Sequence, residues 1–176
     1  EIKIDRCFVN NIQHSVYNYR LLGNMLELAG VPLLAKEREG LENIVFAGGV
    51  CTVNPEPLAE FIDFFSIGEG EESTPQILEC YRAAKKRGST KQAFLHEIAK
   101  IEGVYVPSFY THTYNCDGTL RAIVPEPGAP ARVKKRIVQD LDKAYFPTKT
   151  IVPSTQIVHD RSNLEIFRGC IRGCRF

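Results

Sequence analysis

Residues 43 to 49 read NIVFAGG, and residues 64 to 72 read FFSIGEGEE. Each stretch is a short, continuous apolar run that ends in glycines. Such runs are typical of strands in a parallel sheet covered on both faces. The segment between them has room for a short helix from Pro55 to Phe61, as a crossover connection requires. We therefore predict two neighbouring parallel strands, Asn43 to Ala47 and Phe64 to Ile67.

Helical patterns flank these two strands. Apolar residues recur at helical spacing between turn and capping residues. Pro75 suits the first position of a helix, and Ser89 with Gln92 forms a capping box. The predicted elements are a strand from Ile2 to Val9 and helices from Ser15 to Ala29, Thr74 to Ala84 and Thr90 to Ile101. This alternation predicts an α/β domain over residues 1–103.

The character of the sequence changes after Gly103. Two segments rich in β-branched and aromatic residues, 105–114 and 119–124, flank a turn with the pair Asp117-Gly118. This pattern predicts a β-hairpin. Prolines at 125, 127 and 130 then favour an extended linker, and Pro147 and Pro153 argue against one long helix between Val133 and Val158. We assign residues 104–162 to hairpin and linker.

Composition excludes several classes of function. The net charge is +1 with 24% charged residues, so no overall field favours nucleic acid or an anionic membrane. No apolar stretch approaches the ~20 residues of a membrane-spanning helix. Six cysteines are too sparse for a disulfide scaffold. We expect reduced thiols in a cytoplasmic protein.

The glycines that follow the two strands are candidates for cofactor contact. In doubly wound α/β sheets, ligands bind at the carboxyl ends of strands. The four candidate residues are Gly48, Gly49, Gly68 and Gly70. Glycines at these places also serve as ordinary turns, and no G-x-G-x-x-G fingerprint is present. Both interpretations stay open.

The last residues carry Cys170 and Cys174 in a C-x-x-x-C spacing. Three thiolates spaced C-x-x-x-C-x-x-C can hold three irons of a four-iron cluster and leave the fourth open to a small molecule. Two incidental thiols, half of a zinc site and a helical pair explain the same spacing. The four histidines form no recognisable catalytic constellation.

This cysteine motif resembles the loop of the radical S-adenosylmethionine (SAM) enzymes, which usually has an aromatic residue just before its third cysteine, as Phe176 would be. The resemblance implies a [4Fe-4S] cluster held by Cys170, Cys174 and a cysteine directly after Phe176, with SAM on the open iron. It also implies that the apolar run from Leu164 to Cys170 leads into the loop as the first strand of a radical SAM barrel. Residues 163–176 would then begin that domain.

Further motifs resemble a cobalamin-binding-type domain that precedes the barrel in a bacterial family of radical SAM proteins. Residues 45–49, 54–57 and 67–72 look like the second half of such a domain, and residues 100–107 and 129–136 also support the resemblance to that family. The implied fold of residues 1–103 is a partial, Rossmann-type doubly wound parallel sheet that lacks its opening strands. No D-x-H-x-x-G motif for a cobalt ligand occurs, so we expect this chain to bind cobalamin weakly or not at all. We interpret His14, just before the first helix, as a capping or surface residue; tight cobalamin binding that required His14 would make it the leading cobalt ligand.

The first hypothesis is therefore an N-terminal fragment of a radical SAM enzyme that cannot run radical chemistry alone and binds no cofactor by itself. The alternative is a non-enzymatic α/β binding or dimerisation module with incidental cysteines. A zinc site at Cys170 and Cys174 is the third hypothesis. An exposed sheet edge is expected to favour homo-oligomers. The sequence does not identify the substrate.

Overall fold

The computed structural model describes residues 16–149, 155 and 164–174, with side chains from residue 20 onward. The chain divides into two units, Glu1–Ile137 and Val138–Phe176. All α-helices and β-strands of the described residues lie in the first unit. The strand predicted from Ile2 to Val9 lies outside the described residues, as do His14 and Phe176.

The first unit contains three α-helices: α1 (Val16–Leu28), α2 (Gly70–Arg87) and α3 (Lys91–Ile98). Helix α1 confirms its prediction. It ends in a Schellman motif, in which Val31 N–H donates to Leu26 at 2.8 Å and Gly30 takes a φ of 65°. The chain reverses there because glycine tolerates this left-handed conformation.

Helices α2 and α3 differ from prediction at their starts. Helix α2 begins at Gly70, so Pro75 lies inside it rather than at its first position. Glu71 and Glu72 occupy its first turn, where carboxylates complement the helix dipole. Helix α3 is capped by Thr90, whose hydroxyl accepts the Ala93 N–H at 3.2 Å. The amide of Ser89 bonds to Ala84 at the end of α2, and the N-cap of α3 is the next residue rather than the predicted Ser89.

Three short strands form a sheet in the order β1 (Phe46–Gly48), β2 (Phe64–Ser66) and β3 (Val104–Tyr105). Strands β1 and β2 are parallel neighbours, as predicted. Strand β3 is antiparallel to β2, so the predicted all-parallel sheet is wrong and the fold is mixed α/β. Two successive helices, α2 and α3, bring the chain back to the carboxyl end of β2, where β3 begins. The next strand therefore runs the opposite way.

The burial of the two predicted strands differs. All three residues of β2 are buried, as expected of a central strand. In β1, Phe46 is 46% exposed, so the prediction of cover on both faces is wrong for this strand. Strand β1 also starts later than predicted because the amide of Val45 bonds to the side chain of Asp63 instead of to a neighbouring strand.

The core lies in two layers, one on each face of the sheet. Phe64 and Val104 point into a cluster formed with α2 and α3, whereas Phe65 and Tyr105 join a cluster with α1. Successive strand residues point to opposite faces, which explains this division. The arrangement is helix, sheet and helices in three layers.

The predicted hairpin is confirmed as β4 (Tyr110–Tyr114) and β5 (Leu120–Pro125), which pair antiparallel. A 3-10 turn at Pro107–Phe109 separates it from β3. Tyr105 therefore belongs to the sheet rather than to the hairpin, where the sequence analysis placed it.

Other segments have less regular structure than predicted. Residues 55–61 contain a 3-10 turn, Glu56–Leu58, instead of a short helix. Residues 164–168 form no strand, since none of the other described residues pairs with them. In the second unit the described backbone contains one 3-10 turn, Leu141–Lys143. No helix among the described residues is both long and apolar enough to cross a membrane.

Candidate functional site

The carboxyl ends of β1 and β2 lie at the same edge of the sheet because the strands are parallel. Gly48 is in register with Ser66. Gly49 follows with a φ of 95° and no atom within 4 Å of a Cβ built on it. Gly48, Gly49 and Val50 are all exposed. Main-chain atoms are thus accessible at this point, and the predicted contact of Gly48 and Gly49 with a cofactor stays a prediction.

Small hydroxyl side chains lie beneath this glycine pair. Thr52, Ser66 and Ser73 are all buried. The Thr52 hydroxyl donates to the carbonyl of Gly49 at 2.7 Å, and the hydroxyls of Ser66 and Ser73 are 3.3 Å apart. These bonds satisfy the buried polar groups and fix the turn after β1 to the start of α2.

Gly68 has its own chain as a neighbour. A Cβ at Gly68 would lie 2.2 Å from the carbonyl oxygen of Arg136, and its φ is 110°. The amide of Arg136 donates to Ile67 at 3.0 Å, and the amide of Glu69 donates to Arg136 at 3.0 Å. Gly68 is therefore required for close packing of the segment at Arg136. Its predicted contact with a cofactor stays a prediction.

Gly70 is the first residue of α2. Glu69 precedes it as the N-cap residue and makes no side-chain capping bond. A Cβ at Gly70 would meet the Thr74 hydroxyl at 3.1 Å, which a small rotation relieves. Gly70 thus lies at the same edge of the sheet as Gly48 and Gly49, and its contact with a cofactor also stays a prediction.

The amino end of β2 carries a buried charge network that the sequence analysis missed. The side chains of Arg38 and Asp63 are completely buried, and their Nε and Oδ2 atoms are 3.0 Å apart. Lys91 Nζ lies 2.5 Å from Asp63 Oδ1 and bonds to the carbonyls of Ala35 and Arg38. Three isolated charges distant in sequence gave no signal of this pairing.

The remaining donors of Arg38 bind main-chain carbonyls. They reach Pro32 at 2.8 Å, Leu33 at 3.0 Å and Phe61 at 2.6 Å. These bonds join the segment after α1 to the start of β2. This network ties these segments together, and Arg38 and Lys91 also lie in the wall of the adjacent cavity.

A cavity of about 780 Å³ adjoins this network and is walled on one side by β4. Glu56 lines it, accepts the hydroxyl of Tyr105, and has Oε2 3.1 Å from His112 Nε2. His112 Nε2 is buried and makes no hydrogen bond to any of the described residues, so this contact is not a hydrogen bond. The pKa of Tyr105 is raised mainly because the hydroxyl is buried, and the bond to Glu56 raises it further. The hydroxyl is therefore neutral at physiological pH.

The two predicted metal ligands lie in the second unit. Cys170 and Cys174 are exposed and are not joined in a disulfide. The sulfur of Cys170 accepts the main-chain N–H of Arg172 at 3.4 Å. Within residues 16–149, 155 and 164–174, no three His, Cys, Asp or Glu side chains are grouped to hold a metal. Metal binding here stays a prediction.

The sequence matches the family described as radical SAM proteins, N-terminal, over residues 11–107. The match covers more than half of the chain and includes α1, the Asp63 network and all four glycines. The chain belongs to this family of radical SAM proteins. Searches of curated proteins and of solved structures gave no significant match.

Family membership confirms that the chain is an N-terminal region of a radical SAM protein. Full-length members of this class use a [4Fe-4S] cluster and SAM. The match ends at Pro107, before the hairpin and before Cys170. The cysteine motif and the family match are therefore independent indications of the same class.

Proposed function

We propose that this chain is part of a radical SAM iron–sulfur enzyme whose cluster is bound by Cys170, Cys174 and a third cysteine directly after Phe176. The family match over residues 11–107 carries the proposal. The C-x-x-x-C motif supports it from outside the matched region. The substrate class is not part of the proposal, because no described side chain indicates it.

The described residues around the cysteines fit such a cluster. Both thiols are exposed, as ligands of an incoming metal must be, and thiolates are the usual ligands of iron–sulfur clusters. When bound, the cluster supplies the electron that cleaves the carbon–sulfur bond of SAM and gives methionine and a deoxyadenosyl radical. Two protein thiolates cannot hold three irons, so this chain alone should not assemble the cluster.

The α/β unit contributes a binding surface in this proposal. Gly48 and Gly49 expose main-chain atoms at the carboxyl edge of the sheet, beside Val50, which is 65% exposed. An apolar, glycine-rich surface suits the flat face of a large cofactor, and cobalamin is one candidate. We propose only weak cobalamin binding, since the backbone of Arg136 covers Gly68 and no D-x-H-x-x-G loop is present.

The proposal is tested with the full-length protein, continued through the next cysteine and the barrel. Anaerobic reconstitution with iron and sulfide should give an oxygen-sensitive cluster near four irons per chain, and dithionite reduction should cleave SAM to deoxyadenosine. Cys170→Ala and Cys174→Ala should each abolish both signals. Cys116→Ala is the matched control, because Cys116 is equally exposed but lies in the hairpin turn. Retention of cluster and SAM cleavage in both variants would overturn the proposal.

A non-enzymatic binding module is the second candidate, and the cavity beside Glu56 is the observation that favours it. It predicts that the full-length protein binds no iron while it still folds. Zinc analysis of protein purified without chelators tests the third hypothesis, a zinc site at Cys170 and Cys174. Stoichiometric zinc lost on replacement of Cys170 would support a zinc site and contradict the cluster.

A further inference from the structure

Hydrogen bonds between residues two or three positions apart are found on both sides of Cys170. Arg168 and Glu165 form a two-pronged ion pair, with Nε and Nη2 each 2.8 Å from a carboxylate oxygen. The bond from Arg168 lowers the pKa of Glu165. Gly169 follows with a φ of 89°, which turns the chain into Cys170. The approach to the first cysteine is therefore defined by local interactions.

The same residue types recur at the second cysteine, in a different role. The sequence repeats Arg-Gly-Cys at 168–170 and 172–174. The first arginine uses its side chain to hold Glu165. The second, Arg172, donates its main-chain N–H to the sulfur of Cys170 at 3.4 Å. This distance is normal for a bond to sulfur, which is larger than oxygen.

We propose that Arg172 is a positioning residue whose amide holds the Cys170 sulfur in its metal-binding orientation before any metal enters. An N–H group that points at a thiolate stabilises the negative charge and fixes the side-chain rotamer. In iron–sulfur proteins, hydrogen bonds to sulfur also tune the reduction potential of the cluster. The role in a cluster rests on the proposed function, whereas the bond from the Arg172 amide to the free Cys170 sulfur is observed.

The test uses this chain, labelled with ¹⁵N, and ¹¹³Cd²⁺ alone as the probe. A hydrogen bond to a cadmium-bound thiolate transmits a scalar coupling from the amide proton to ¹¹³Cd. We expect that coupling at the Arg172 amide. Cys170→Ser should remove it, and Arg172→Ala should retain it, because alanine keeps the main-chain N–H. Absence of the coupling from the cadmium-bound wild-type chain overturns the inference.

Affinity gives a second readout. Arg172→Pro removes the N–H and should weaken Cd²⁺ binding roughly fivefold relative to Arg172→Ala, as loss of one net hydrogen bond predicts. Equal affinity of the two variants overturns the inference. If proline distorts the loop so far that binding is lost, the wild-type coupling decides alone. A positive coupling together with no cluster in the full-length protein would leave this inference standing and reject the proposed function.

Discussion

The two ends of the β1–β2 pair differ in the side chains that surround them. At the amino end of β2, the buried carboxylate of Asp63 pairs with two cations, Arg38 and Lys91. At the carboxyl end, glycines and small hydroxyls leave the main chain accessible at Gly48 and Gly49. The amino end should resist substitution because both cations depend on this one buried carboxylate. The carboxyl end is where a partner molecule can reach the backbone.

Replacing Asp63 should have the largest effect on this difference. Asp63→Asn leaves Arg38 and Lys91 without their carboxylate in the interior, and breaking a buried pair costs about 3–5 kcal/mol. Urea unfolding followed by far-ultraviolet circular dichroism measures it, since the chain has no tryptophan. Glu97→Gln is the control, because its pair with Arg87 is exposed and should contribute less than about 1 kcal/mol. Equal losses from the two variants would contradict the assigned role of the network.

At the carboxyl end, two glycines with positive φ allow a matched comparison. Gly68→Ala should reduce the free energy of unfolding by about 2–3 kcal/mol, because the methyl group would overlap the carbonyl of Arg136 as well as strain the backbone. Gly49→Ala should cost only the backbone strain, about 1 kcal/mol, since nothing lies within 4 Å. The same urea titration compares them. A larger loss at Gly49 would show that the segment at Arg136 is not packed as described.

The smallest expected effect is a pH dependence from Tyr105. Its pKa is raised in the folded state, so the unfolded chain releases this proton first as the pH rises. Its contribution to stability is complete below about pH 10 and decreases above it. Tyr105→Phe should therefore make the decline in stability between pH 9 and pH 11 shallower than in the wild type. Parallel curves for the two proteins would contradict the shift, and Tyr114→Phe, an exposed tyrosine, is the control.

The sequence predicted the elements whose pattern is local. The parallel pair of strands, helix α1 and the hairpin all follow from apolar periodicity and turn residues. Strand β3 was missed as part of the sheet because its two residues, Val104 and Tyr105, are too few to show a period. Its direction depends on α3 bringing the chain back beside Ile67, which is a tertiary event.

For the candidate site, too, the sequence shows local motifs but not contacts between distant residues. The glycines and cysteines are visible as motifs, so their candidacy needed no structure. The packing of Arg136 against Gly68 was hidden, because it joins residues far apart through backbone atoms that carry no sequence signal. The Asp63 network was hidden for a related reason, since a buried charge looks like a surface charge until its partners are known.

Ile67 has a consequence for how this fold can vary. Its amide donates to the carbonyl of Gly103 at 2.7 Å, and its carbonyl accepts the amide of Arg136 at 3.0 Å. Ile67 thus bonds to the chain before β3, at Gly103, and again after the hairpin, at Arg136. The hairpin lies in the loop between these two residues. Lengthening this loop at the hairpin turn adds only a small entropic cost of loop closure. We therefore expect the α/β body of this chain to tolerate insertions between Tyr114 and Leu120.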